Sequence, residues 1–235
     1  MGHRTLLFAI AVGLPGISAM GGAWVGAGWI WDGANAVGFV AAALVIYLHI
    51  DTGSARGRPA MQAAFHSRLH ANVAALALAL VALHVGVLFA DDPVTVEYWK
   101  ASAPPYMLAG IGAAVLMSTI VATGYPTPRR ALFASTAQFR RVHGIAGVLL
   151  TGLIAWHVAG SALYLDTRFK QTLFVIALVG LPLLMIRRAV LPRPVTAAPR
   201  LEPAQTRRET QYLATAAVSI AVVFAVLRNM FTGGW

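Results

Sequence analysis

Seven apolar segments, separated by short polar or proline- and glycine-containing breaks, make up most of the chain. Their lengths suit helices that cross a bilayer, which need about 20 mostly apolar residues. Barrel strands would alternate apolar and polar positions, and these segments do not. The pattern predicts an all-α fold, a polytopic membrane helix bundle of about seven transmembrane helices. The segments run approximately over Leu6–Ile30, Ala34–Ile50, Phe65–Ala90, Tyr106–Thr123, Val142–Leu165, Thr172–Ile186 and Tyr212–Leu227.

The breaks divide the chain unevenly. Trp31-Asp32-Gly33 is expected to separate the first two segments, and Gly124 to Pro128 to end the fourth. A stretch rich in proline and arginine precedes the last segment. We therefore expect one membrane unit over residues 1–190 with its core at about 35–190, a cytoplasmic linker over 191–210 and an extra C-terminal helix over 211–235.

Composition supports this interpretation. The chain is 58% hydrophobic and 11% charged, whereas soluble domains are about 25% charged. The net charge of +10 does not indicate nucleic acid, because 14 of the 18 Lys and Arg residues fall on one side if the segments alternate across a bilayer. This is the positive-inside pattern, and it predicts a cytoplasmic N-terminus. Cysteine is absent, which excludes thiolate zinc sites and cysteine-held iron–sulfur clusters.

Two histidine pairs carry the candidate chemistry. His70 and His84 lie in the third segment, and His143 and His157 in the fifth, with a spacing of 14 residues in both cases. On a helix, 14 residues leave two side chains about 40° apart around the axis and about 21 Å apart along it. Each segment therefore presents two imidazoles on one face, at two depths.

The predicted topology makes the third and fifth helices parallel, so the four histidines pair across them. His70 and His143 fall at one level, near the inner surface, and His84 and His157 at the other. Each pair can hold a flat metal macrocycle between two axial imidazoles, and a six-coordinate iron of this kind favours electron transfer. We expect two b-type haems, with His70, His143, His84 and His157 as the iron ligands.

Alternatives remain open around these four residues. His66 is one helix turn before His70 and could replace it as a ligand; otherwise it is expected at the membrane interface or as a propionate partner. His49 is also expected at the interface. Arg68, Arg140 and Arg141 lie within three residues of the inner histidines. They are expected to bind haem propionates, or only to anchor the helix ends. Without haem, intramembrane histidines could relay protons in a transporter.

The spans that carry the histidines resemble the ferric reductase-like transmembrane domain superfamily, whose third and fifth helices each hold two haem-ligand histidines about 14 residues apart. The stretches Ser118–Arg130 and Phe139–His143 resemble the family's exit from the fourth helix and entry to the fifth. The resemblance implies transmembrane electron transfer through two haems b, from a cytoplasmic or quinol donor to a periplasmic acceptor. It also implies a place in a bacterial inner (cytoplasmic) membrane.

The sequence departs from the flavin-containing members of that superfamily. No GxGxxG motif follows a strand, and only a linker and a seventh segment follow the sixth. We therefore expect no flavin site in this chain and a redox partner, either a cytoplasmic flavoprotein or a periplasmic acceptor, or quinone. Its layout is similar to stand-alone haem-binding subunits, such as that of the periplasmic methionine sulfoxide reductase. We expect an oxidoreductase component rather than a complete enzyme, or a haem-bearing subunit without activity of its own.

Overall fold

The computed structural model describes residues 28–50, 60–165, 167–180 and 211. These residues form helices and connecting turns, with no strand among them. In chain order, the α-helices are α1 (Trp29–Ile50), α2 (Ala60–Asp91), α3 (Pro105–Gly124), α4 (Pro126–Leu132), α5 (Thr136–Ser161) and α6 (Arg168–Val175). A 3₁₀ helix, Pro93–Trp99, connects α2 to α3, and α6 continues into a π-helical turn, Ile176–Gly180. The all-α prediction is confirmed for this part of the chain.

Four of these helices, α1, α2, α3 and α5, are long and apolar enough to cross a membrane. They correspond to the second to fifth predicted segments. Residues 1–27, with most of the first segment, lie outside the described residues. The same is true of the 191–210 linker, the seventh segment from Tyr212 and the arginines at 56, 58 and 187–208. The predicted count of seven therefore stays a prediction.

Helix α1 lies at the centre of the bundle. In its apolar window 61% of the residues are buried, against 17% in each of the other three spans. It packs on α2 and also contacts α5 and the π-helical turn, while α3 packs on α5. The outer helices leave large apolar side chains such as Val115, Ile145 and Leu149 exposed. Such surfaces are stable in lipid, where water does not penalise them.

Two predicted boundaries are wrong. Trp31-Asp32-Gly33 does not break the chain: it forms the first turn of α1, which starts after Gly28 at a φ of +96°. A carboxylate in a first turn is favoured by the helix dipole, and Asp32 is buried with the hydroxyl of Tyr164 2.6 Å from its Oδ1. The hydrogen bond from Tyr164 thus allows the Asp32 carboxyl to be buried within a helix.

The fifth segment ends earlier than predicted. Helix α5 stops at Ser161 because Ala162 adopts a left-handed conformation, with a φ of 53°. The chain then folds back, which buries Tyr164 and Leu165. Leu165 packs with Phe174 and Leu178 beside α1. This turn returns the chain to the start of α1, close to the level of His157.

Candidate metal centre

His84 of α2 is held by α1. Its Nδ1 lies 2.8 Å from the carbonyl oxygen of Ala34. Because a carbonyl only accepts hydrogen bonds, Nδ1 carries the proton and donates it, and Nε2 keeps a free lone pair. The ring also lies against Gly38, where a Cβ would be 2.9 Å from Nδ1. No side chain larger than hydrogen fits there without moving the imidazole.

His157 of α5 is held by α3 in the same way. Its Nδ1 lies 3.0 Å from the carbonyl oxygen of Tyr106, and a Cβ on Gly110 would be 2.6 Å from that nitrogen. In both cases the accepting carbonyl is four residues before the glycine, on the helix that packs beside the histidine. The imidazole is therefore oriented in the same way, by a backbone carbonyl and a glycine of the neighbouring helix, in the pair α1 and α2 and in the pair α3 and α5.

His84 and His157, the pair predicted at the outer level and called the outer pair below, present the same ring nitrogen. Both rings have Nδ1 bonded to the backbone, which leaves Nε2 of each as the possible metal ligand. Metal-binding histidines generally donate their other ring N–H to such an acceptor, which fixes the ring and its tautomer.

The inner histidines form a direct ring contact. The ring centres of His70 and His143 are 6.1 Å apart, and their planes are inclined at 52°. Two imidazoles bonded from opposite sides to one metal, at about 2 Å each, have centres about 6 Å apart. The separation of this pair therefore fits one metal ion with two axial imidazoles. The ring that contacts His143 belongs to His70, whereas His66 is buried edge-on against Phe65.

A third histidine, His49 of α1, lies against α5 one helix turn after His143. Its Nδ1 lies 2.8 Å from the carbonyl oxygen of Val45, and its Nε2 would be 3.2 Å from a Cβ on Gly147. The sequence predicts that the His49 side chain lies at the membrane interface. The signal available in the sequence was an ionisable residue in an apolar segment, which is a candidate functional residue by default.

The inner and outer pairs differ in their second hydrogen bonds. The buried Nδ1 of His143 has no hydrogen-bond partner in the structure, whereas Nδ1 of His84 and of His157 each bond a carbonyl. A buried polar nitrogen left without a partner costs about 1–3 kcal/mol. Such an exception at a predicted ligand suggests that binding at the site completes its hydrogen bonding.

The arginines predicted to bind propionates lie at the surface. Arg68, Arg140 and Arg141 are exposed and stand within one helix turn of the inner histidines. Arg129, from α4, lies over the ring of Phe139, which in turn contacts His143 at 5.1 Å between ring centres. The propionate role of the three arginines stays a prediction.

Sequence reasoning also missed a buried polar contact near the outer pair. Asp32 and Tyr164 join the start of α1 to the turn after α5. Asp32 is two residues before Ala34, the acceptor for His84. The contact thereby links the helix that orients His84 to the exit of the helix that carries His157.

The described residues contain no cluster of three or more His, Asp or Glu side chains placed to hold one metal ion. The four predicted ligands are instead brought together as two pairs at two levels. Pairs of imidazoles, of which His84 and His157 have Nδ1 held by a carbonyl, could hold a metal whose remaining ligands come from a macrocycle. No family model, no curated protein and no solved structure matches the chain.

Proposed function

We propose that the chain is a membrane electron-transfer protein that holds two bis-histidine b-type haems, as the ferric reductase-like resemblance implies. The observation that carries this proposal is the repeated orientation of His84 and His157 by a carbonyl and a glycine on a neighbouring helix. A histidine needed only for helix packing does not require its Nε2 lone pair to be left free. An axial ligand does.

Haem, when bound, supplies a one-electron couple at each level, and the residues set its potential through ligation, hydrogen bonding and burial. On the outer side, the carbonyls of Ala34 and Tyr106 hold the two Nδ1 protons and so increase the donor strength of both ligands. On the inner side, His70 and His143 would take the two axial positions. Buried apolar residues of α1, α2 and α5 exclude water from between the levels.

The spacing along α2 and α5 places the two levels about 21 Å apart. In our proposal the two haems would connect a donor on the side of Arg68, Arg140 and Arg141 with an acceptor on the side of His84 and His157. Seven spans, a cytoplasmic N-terminus and a bacterial inner membrane belong to the same proposal. The donor is a cytoplasmic flavoprotein or quinol, and the acceptor is a periplasmic molecule or partner protein.

The first test is a reduced-minus-oxidised spectrum of the purified chain, with a pyridine haemochrome count. We expect two b haems per chain, and one after His84→Ala or His157→Ala, each of which removes an outer ligand. A colourless protein from cells supplied with haem would overturn the proposal and favour a proton pathway through the histidines. Two haems without electron transfer to any soluble acceptor would favour a haem-bearing subunit.

A further inference from the structure

His143 of the inner pair lacks a hydrogen-bond acceptor that both histidines of the outer pair have. The Nδ1 of His143 is buried and has no partner, although both outer histidines donate from this nitrogen to a carbonyl. If His143 binds metal through Nε2, as the outer pair is arranged to do, its Nδ1–H needs an acceptor. Metal-ligating histidines almost always have one.

A ring nitrogen of His49 can be that acceptor. Its Nδ1 is 2.8 Å from the Val45 carbonyl, so this nitrogen is the donor and Nε2 keeps the lone pair. Nε2 lies 3.2 Å from the Cβ position of Gly147. Because Gly147 is one helix turn after His143 on the same face of α5, the His49 ring reaches α5 within one turn of His143.

We propose that His49 is a positioning residue for the inner site, and that its Nε2 accepts the Nδ1–H hydrogen bond of His143 when the inner cofactor is bound. His49 thus does for the inner ligand what the carbonyls of Ala34 and Tyr106 do for the outer ligands. Gly147 matters because it lets the imidazole of His49 approach α5. This inference rests on the proposed function, since it needs His143 to be an axial ligand.

The test compares His49→Leu, which fills the space without an acceptor, with His49→Gln, whose amide oxygen can accept the same bond. Outer-shell partners of metal ligands typically contribute about 10–100-fold to metal affinity. We expect His49→Leu to keep two haems at saturation, to release the inner haem at least about tenfold faster, and to raise its midpoint potential. His49→Gln should restore both properties in large part.

Two glycine variants of α5 provide a second measurement. Gly147→Ala would push the His49 ring away, so the inner midpoint potential should shift in the same direction as in His49→Leu. Gly152→Ala is the matched control, because nothing lies within 4 Å of its Cβ position, and it should leave both potentials unchanged.

The outcomes separate this inference from the proposed function. A wild-type chain without haem would contradict the proposed function itself. Two haems in the wild type, together with identical inner potentials and haem release in His49→Leu, would overturn only the role of His49. Complete loss of one haem in both His49→Leu and His49→Gln would also overturn it, because His49 would then be a ligand.

Discussion

Replacing Gly110 by alanine tests how closely α3 must approach the imidazole of His157. The new Cβ would lie 2.6 Å from Nδ1, whereas unstrained nonbonded atoms are about 3.5–4.0 Å apart. The ring or the helix must therefore move by about 1 Å. Such a displacement would lengthen the 3.0 Å contact with the Tyr106 carbonyl beyond the roughly 3.5 Å at which a hydrogen bond is lost.

The free-energy change can be bounded from three contributions. Overpacking a close contact costs about 1–3 kcal/mol, and the lost hydrogen bond costs about 0.5–1.5 kcal/mol. The better helix propensity of alanine offsets about 1 kcal/mol. We therefore expect Gly110→Ala to lower the free energy of unfolding by about 0.5–3.5 kcal/mol and to weaken retention of the outer haem.

Gly112→Ala is the matched control on the same helix. Its Cβ would meet only Leu153 Cδ1 at 3.8 Å, an ordinary contact, so the variant should be as stable as the wild type or up to about 1 kcal/mol more stable. Thermal unfolding in detergent, followed by helical circular dichroism, and haem content of the same samples give both quantities. Equal stability and equal haem content in the two variants would refute the proposed orientation of His157 by Gly110.

Three further predictions concern other described residues. His84→Ala should halve the haem count while the spectrum of the inner haem persists, and a loss of both haems would contradict separate levels. Tyr164→Phe should lower the free energy of unfolding by about 0.5–1.5 kcal/mol, because it removes the hydroxyl 2.6 Å from the buried Asp32; an unchanged melting temperature would show that this contact contributes nothing. Phe174→Ala should lower the free energy of unfolding by about 3–5 kcal/mol, because the Phe174 side chain is only 2% exposed. Phe169→Ala is the control: this residue is 76% exposed, so its replacement should change the free energy of unfolding by less than about 0.5 kcal/mol. Similar losses of stability in both variants would contradict the assigned burial.

The helices were predictable to the extent that their sequence is apolar. Continuous apolar runs identified α1, α2, α3 and α5, because a segment buried in lipid needs no polar periodicity. The same rule placed Asp32 in a break between segments. It failed there because the hydroxyl that hydrogen-bonds the buried carboxyl belongs to Tyr164, 132 residues later in the chain. The residues around Asp32 cannot indicate a partner so far away in sequence.

For the four predicted ligands, too, the sequence predicts the positions along the helices, whereas the contacts between helices are seen only in the structure. Equal spacing of 14 residues placed His70 and His84, and His143 and His157, at matching levels of parallel helices, and the structure brings His70 to His143. The spacing could not reveal Gly38 and Gly110 as the residues that receive the outer imidazoles, because each contact joins two helices. The sequence likewise predicts only an interfacial position for His49, because its contact with Gly147 also joins two helices.

The sequence alone predicted the helical class and the four membrane-length helices that the described residues contain, because hydrophobic runs are local properties of the chain. Helical periodicity, which is also local, predicted two levels of paired histidines. Only the tertiary structure decided which backbone carbonyl holds each imidazole, which glycines admit it, and that α1 lies at the centre with His49 beside the inner pair. These features depend on how helices far apart in sequence pack together. Packing specifies atom-to-atom distances that no single segment encodes.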